Sequence, residues 1–231
     1  MPKAPNPASG ILRRSNREAL RELLSRRGVA EGTDTALRFL NYLALLEKWN
    51  ARVNLTSTTD WESLGPLFEE AIWAAGFYPE VAAAHLDIGS GAGFPALLIR
   101  VLRPRMCLTM VEPRGKRAAF LETAAYELGL TASAVFNGPL AEFLDRREAV
   151  EAWDFVSWKA LKLGGAELSK LLLQSGRETQ YWLFHGARLP TDDVGASLLH
   201  LVRRESFPGK RSWRLSIMCG TVSRETQEPG S

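Results

Sequence analysis

The residues with the most chemistry to offer lie in one run, Asp87-Ile88-Gly89-Ser90-Gly91-Ala92-Gly93-Phe94-Pro95. Glycines at alternate positions let a backbone turn sharply and bring its N–H groups against a ligand with no Cβ in the way. A helix starting just beyond adds the positive end of its dipole at the same place. Glu112 stands nineteen residues past Gly93, where an apolar run from Arg105 to Val111 ends. A carboxylate at that offset can accept hydrogen bonds from both hydroxyls of a ribose. Turn and acid together point to a nucleoside-containing ligand. The spacing is Gly-x-Gly-x-Gly and not the Gly-x-Gly-x-x-Gly that seats a pyrophosphate. No carboxylate or imidazole set has metal-ligand spacing, so no required metal is expected. Cys107 and Cys219 form no Cys-x-x-Cys pair and are expected to be two buried, reduced thiols.

These groups need a scaffold, and the periodicity supplies one. Residues 82–86 can form a short buried strand leading into the turn, and Leu97, Leu98, Val101 and Leu102 recur at helical spacing after it. From His85 onward strands and helices alternate, which implies a mostly parallel sheet with helices on both faces. Further strands are expected at residues 105–111, 131–136, 153–157, 180–184, 201–207 and 213–221, with a helix over 192–200. The break at Pro208-Gly209 suits a hairpin, which puts an antiparallel strand in the sheet. The fold expected is α/β, Rossmann-like, with seven strands. Upstream, three helices are expected: one over residues 12–27, one capped by Thr33 or Asp34, and one capped by Asp60. The domain plan is a loose tail (1–10), a helical extension (11–80), the nucleotide-binding core (81–222) and a second tail (223–231).

The chain has 231 residues, 45% hydrophobic and 24% charged, enough for a full core and ordinary for a soluble protein. No apolar run is long enough to span a bilayer, and the first ten residues lack the apolar centre of a signal peptide. A cytoplasmic location is expected. The net charge of +3 is mild but uneven. Arg13, Arg14, Arg17, Arg21, Arg26 and Arg27 crowd one end, and Arg203, Arg204, Lys210, Arg211 and Arg214 the other. Such patches suit a phosphate backbone if they share a face, and solvated helix faces otherwise.

The run at 87–95 resembles motif I of the class I S-adenosylmethionine-dependent methyltransferases. Other segments narrow the likeness. Leu46-Glu47-Lys48-Trp49-Asn50 with Asn54-Leu55-Thr56, Gly115-Lys116-Arg117, Ala141-Glu142, and Trp153-Asp154-Phe155-Val156-Ser157 followed by Lys159-Ala160 resemble the signatures of the glucose-inhibited division protein B family. These are bacterial enzymes that methylate guanine N7 in 16S ribosomal RNA. The likeness spans about residues 37 to 165. There are departures: Phe68-Glu69-Glu70-Ala71-Ile72 replaces a His-x-x-Asp-Ser run, Leu140 and Lys159 stand where arginines are usual, and His185-Gly186 replaces Lys-Gly.

The resemblance implies S-adenosyl-L-methionine as cofactor, held by Asp87, Gly89, Gly91, Gly93, Phe94, Glu112, Ala141, Glu142 and Lys159. It implies ribosomal RNA or the small ribosomal subunit as partner, with Lys116, Arg117 and Asn54 as RNA contacts. Guanine N7 is a lone-pair nucleophile with no proton to lose, so no general base is assigned. Lys159 and Trp158 are expected to position the base by hydrogen bonding and stacking. A small-molecule methyltransferase on the same core, or a homologue that only binds RNA or a partner, are the alternatives. A monomer is expected.

Overall fold

The computed structural model describes residues 8–146, 152–208 and 213–220, with side chains from residue 16 onward. The expected tail at 223–231, the first seven residues, the second half of the Pro208-Gly209 break and the basic residues Lys210 and Arg211 lie outside these.

Three helices come first: α1 (Ala8–Arg26), α2 (Asp34–Asn50) and α3 (Trp61–Ala75). Thr33 caps α2, its hydroxyl accepting from the Ala36 N–H at 3.3 Å. Asp60 sits at the N-cap of α3 without a side-chain cap bond, because its carboxylate accepts from the Thr58 hydroxyl instead. Strands and helices then alternate: β1 (Ala83–Ile88), α4 (Ala96–Leu102), β2 (Met106–Glu112), α5 (Gly115–Glu127), β3 (Ser133–Asn137), α6 (Leu140–Arg146), β4 (Phe155–Lys159), α7 (Gly165–Leu173), β5 (Gln180–His185) and α8 (Asp193–Ser197). The sheet is completed by β6 (Leu199–Ser206) and β7 (Arg214–Gly220).

The seven strands lie in the order β3-β2-β1-β4-β5-β7-β6, parallel except for β7, which runs antiparallel to both its neighbours. The chain moves outward one way from β1 and the other way from β4. A crevice therefore opens at the carboxyl ends of β1 and β4, the place where such sheets bind ligands. One difference from the sequence reading lies just before the antiparallel pair. The last helix stops at Ser197, so His200 belongs to β6 and not to a helix end. Cys107 is another correction: it is exposed near the start of β2, while Cys219 is half-buried, and both are free thiols.

The helical extension is part of the core. Leu20, Leu23 and Leu24 of α1, Phe39, Tyr42, Leu43 and Leu46 of α2, and Leu64 and Phe68 of α3 share one apolar cluster with Leu97 and Leu98 of α4 and Phe120 and Leu121 of α5. Asn16 of α1 is buried and donates to the Glu47 carboxylate and the Thr59 carbonyl, both at 2.8 Å, which fastens the three helices together. No helix among the described residues is long and apolar enough to cross a membrane.

Candidate functional site

The glycine turn leaves β1 at the crevice and enters α4. Its three glycines have different reasons to be glycine. At Gly93 (φ +88°) a Cβ would lie 3.0 Å from Leu97 Cβ and 3.2 Å from Leu121 Cδ2, so the bare position lets α4 and α5 close on the turn. At Gly91 (φ +57°) a Cβ would meet only the Arg117 Nη1 and the Gly89 carbonyl oxygen, each at an ordinary contact distance of 3.8 Å, so the left-handed backbone and not crowding calls for glycine there. Gly89 lies under Leu161, whose Cδ2 sits 3.0 Å from where a Cβ would be.

Glu112, at the end of β2, is 3% exposed and reaches over this turn. One carboxylate oxygen accepts the Gly91 N–H at 2.8 Å and the other the Arg114 N–H at 2.9 Å. Each oxygen keeps a lone pair for a further donor. Asn137 at the end of β3 donates to the Glu112 carbonyl at 3.0 Å, and the Gly138 N–H does so at 3.2 Å. Ala141 and Glu142, in the first turn of α6, therefore come to the same edge. Ala141 is exposed, and Glu142 pairs with Arg146.

Beneath the turn lies a buried polar chain. Ser157 of β4 donates to Asp87 Oδ1 at 2.6 Å and is 2.8 Å from His85 Nε2. Since the serine has one proton and gives it to Asp87, His85 must present Nε2–H to the serine oxygen. Burial pushes the Asp87 carboxyl up to about 6, against the Ser157 and Ser90 hydroxyls and Lys159, which hold it down. Burial lowers the His85 imidazole to about 3. The two act oppositely on stability. His85 binds its proton only in the unfolded chain, so its contribution falls as pH drops from its ordinary value toward 3. Asp87 holds its proton more tightly when folded, so its contribution is present at low pH and lost as pH rises through 6. The histidine shift is the larger. His85→Gln, which keeps a donor for Ser157, should flatten the loss of stability between about pH 6.5 and 4 in urea titrations.

Tyr42 carries no signature in the sequence, yet it touches the turn directly. Fully buried on α2, its hydroxyl donates to the Ala92 carbonyl at 2.5 Å. Its ring meets Phe94 edge-on at 5.2 Å, and Phe94 meets Phe68 in the same way at 5.2 Å. A buried tyrosine within an apolar helical stripe needs an acceptor, and the sequence does not say which. Phe94 thus supports the turn from inside the core, and Asp87 acts from below it.

Lys159 ends β4 beside the turn. Its ammonium lies 2.8 Å from Glu70 Oε1 of α3 and 5.5 Å from the Trp213 ring centroid. The Glu70 contact is not aligned as a hydrogen bond, so the attraction is Coulombic. The stacking role expected of Trp158 is corrected here. Its ring is 0% exposed, its Nε1–H donates to the Pro190 carbonyl at 3.2 Å, and it has no face to give a base. The reason is that β4 is central, with both faces covered. His185 is likewise committed: Nδ1 is 2.8 Å from the Gly186 carbonyl and Nε2 is 2.9 Å from the Ser216 hydroxyl.

Of the RNA candidates, Lys116 is exposed at the start of α5. Arg117 instead forms a strap, donating from Nη2 to the Asn54 carbonyl at 2.9 Å with Nη1 near Gly91. Asn54 itself is exposed. Asn50 serves the turn before it, accepting the N–H groups of Leu55 and Thr56, each at 2.9 Å.

A sheet of this order, with a glycine turn after its first strand and a buried acid held on that turn from its second, defines a class I S-adenosylmethionine-dependent methyltransferase. The residues fit that cofactor: the turn at Gly91 has a left-handed backbone without a side chain, and Glu112 has acceptor capacity to spare beside it. Solved structures share this fold. The mitomycin 7-O-methyltransferase MmcR superposes with a TM-score of 0.56 at 14% identity, over 94% of this chain and 74% of its own. A mutant of MtNAS in complex with S-adenosylmethionine gives 0.51 at 15% identity, over 91% and 77%.

The particular family follows from the sequence. The family model described as rRNA small subunit methyltransferase G (GidB) matches residues 36–195, and the chain belongs to that family. It is similar to the ribosomal RNA small subunit methyltransferase G of Exiguobacterium sibiricum, 28% identical over 233 residues and 93% of each chain.

Proposed function

We propose that the chain transfers a methyl group to N7 of a guanine in small-subunit ribosomal RNA, acting in the cytoplasm as a monomer. S-adenosylmethionine supplies the methyl on a positively charged sulfur. In this reading Glu112 takes the ribose hydroxyls, and the glycine turn at Gly89, Gly91 and Gly93 takes the body of the cofactor. Ala141 and Glu142 border its adenine. Asp87 and Phe94 keep the turn in place from below and inside, and Lys159 borders the reacting edge as a fixed cation.

The observation that carries the choice of acceptor atom is the state of the side chains at the strand ends. Asp87, Glu112, Lys159 and His185 lie at or next to the ends of β1, β2, β4 and β5, and each is already held by a partner. An acceptor that must lose a proton would want a free base there. A purine N7 does not, and positioning alone supplies the acceleration.

The test is incubation of the protein with methyl-labelled S-adenosylmethionine and small ribosomal subunits or their RNA, followed by nucleoside analysis. Label in 7-methylguanosine is expected. Label in another nucleoside, or in a small molecule only, would refute the proposal. Lys116→Ala should also weaken RNA binding and lower the slope of log affinity against log salt by about 0.7–0.9. An unchanged slope would take Lys116 out of the interface.

A further inference from the structure

One buried charge has no part in the function proposed above. Arg100 sits in the last turn of α4, which starts beside the glycine turn and runs away from the crevice, toward the end of the sheet where β2 begins. The residue is 4% exposed, and its helix neighbours Leu97, Leu98, Ile99 and Val101 are buried in apolar clusters.

Its guanidinium is unmet. Nε and Nη1 are both sealed from solvent with no acceptor, and no salt bridge reaches Arg100 among the described residues. Nη2 is the one nitrogen not sealed in. Burial lowers the hold of the group on its proton, yet an arginine starts so high that it stays charged at neutral pH. Buried charges are ordinarily paired, because an ion taken out of water without a partner is expensive.

The neighbouring groups deepen the want of an anion. α2 packs on α4, and Arg38 of α2 adds a second positive charge that acts against Arg100. Cys107, exposed near the start of β2, would help only as a thiolate. Arg38 has Asp34 as its partner at 3.3 Å, but that carboxylate is 87% exposed, and a pair so open to water offsets little. The Arg38 side chain is itself 29% exposed, so solvent and solutes reach it.

The shape of the gap selects the anion. A carboxylate binds arginine best through two adjacent nitrogens, and on Arg100 every such pair includes a sealed one. A tetrahedral oxyanion needs no fork: one oxygen can meet Nη2 of Arg100 and another the Arg38 guanidinium. Two positive charges suit the charge of a phosphate as well.

We propose that Arg100 and Arg38 form a binding site for a phosphate group, set away from the methyl-transfer crevice and supplied by an RNA backbone or by free phosphate.

Inorganic phosphate is the probe. At an ionic strength matched with chloride it should raise the wild-type melting temperature by about 3–6 °C once it exceeds its Kd tenfold, and the rise should saturate. Arg100→Leu, which puts an apolar side chain in place of a buried ion, should fold and lose the saturable rise. Arg38→Ala, at a half-buried position, should raise the Kd for phosphate about tenfold. The source follows from RNA binding. The slope of log affinity against log salt should fall by about 0.7–0.9 in Arg100→Leu if an RNA phosphate fills the site, and match the wild type if free phosphate does. Should Arg100→Leu not fold, Arg38→Ala carries both measurements. A saturable phosphate response that survives these substitutions overturns the proposal. So does a wild type that phosphate stabilises no more than chloride and whose salt slope the substitutions leave unchanged, since water alone then meets the guanidinium. Neither measurement needs methyl transfer, so a protein inactive on ribosomal RNA would sink the proposed function and leave this site standing.

Discussion

Glu70→Ala should lower the free energy of unfolding by about 3–5 kcal/mol, the cost of leaving a buried charge without its partner. The Glu70 and Lys159 side chains are 5% and 18% exposed, so water replaces little of what either loses. A urea series at neutral pH measures the loss. Lys159→Met should cost a comparable amount by stranding the carboxylate, and it does a second injury, because Lys159 also helps to hold the Asp87 carboxyl down. The double replacement Glu70→Leu with Lys159→Met buries neither charge and should recover most of the stability. Losses that simply add would show that the two side chains are not coupled. A double variant that folds well but transfers no methyl would assign Lys159 to the working edge of the site and not to the fold alone.

Glu112→Gln should raise the Kd for S-adenosylmethionine about 30- to 150-fold, equivalent to about 2–3 kcal/mol. The two side chains have the same size, so the effect is one of hydrogen-bond polarity. Both carboxylate oxygens accept main-chain N–H groups, from Gly91 and from Arg114. An amide has one acceptor and turns a donor toward the other N–H. Either the turn or the start of α5 must then give way, and the ribose hydroxyls lose a charged acceptor as well. Calorimetry reads the result. A Kd within about threefold of the wild type would take Glu112 out of the cofactor site.

Much of this site is legible in the sequence because its signals are local. The glycine run needs only its own backbone, and the offset of Glu112 is set by the length of one helix and one strand. Alternating strands and helices define the sheet for the same reason. Long-range pairings stay hidden. The Phe68–Ile72 segment and Lys159 look like two unrelated departures from a family pattern; in space they meet as Glu70 and Lys159 in one ion pair. Trp158 escapes a correct reading because a strand covered on both faces has no polar side to set its register. The hydrogen bond from Tyr42 spans fifty residues, and no periodicity could announce it. The end of α8 falls earlier than the pattern suggests because a five-residue helix followed by a strand has too little pattern of its own.

The tyrosine bond to the Ala92 carbonyl bears on how this protein can be dissected. Removing roughly the first sixty residues would take away the wall against which the turn is braced, along with the Tyr42 ring that meets Phe94 edge-on. What remained would retain every residue of the glycine signature and lack the means to hold it in shape. A minimal catalytic fragment of this enzyme therefore has to begin before α2, even though no atom of that helix need ever meet the methyl donor.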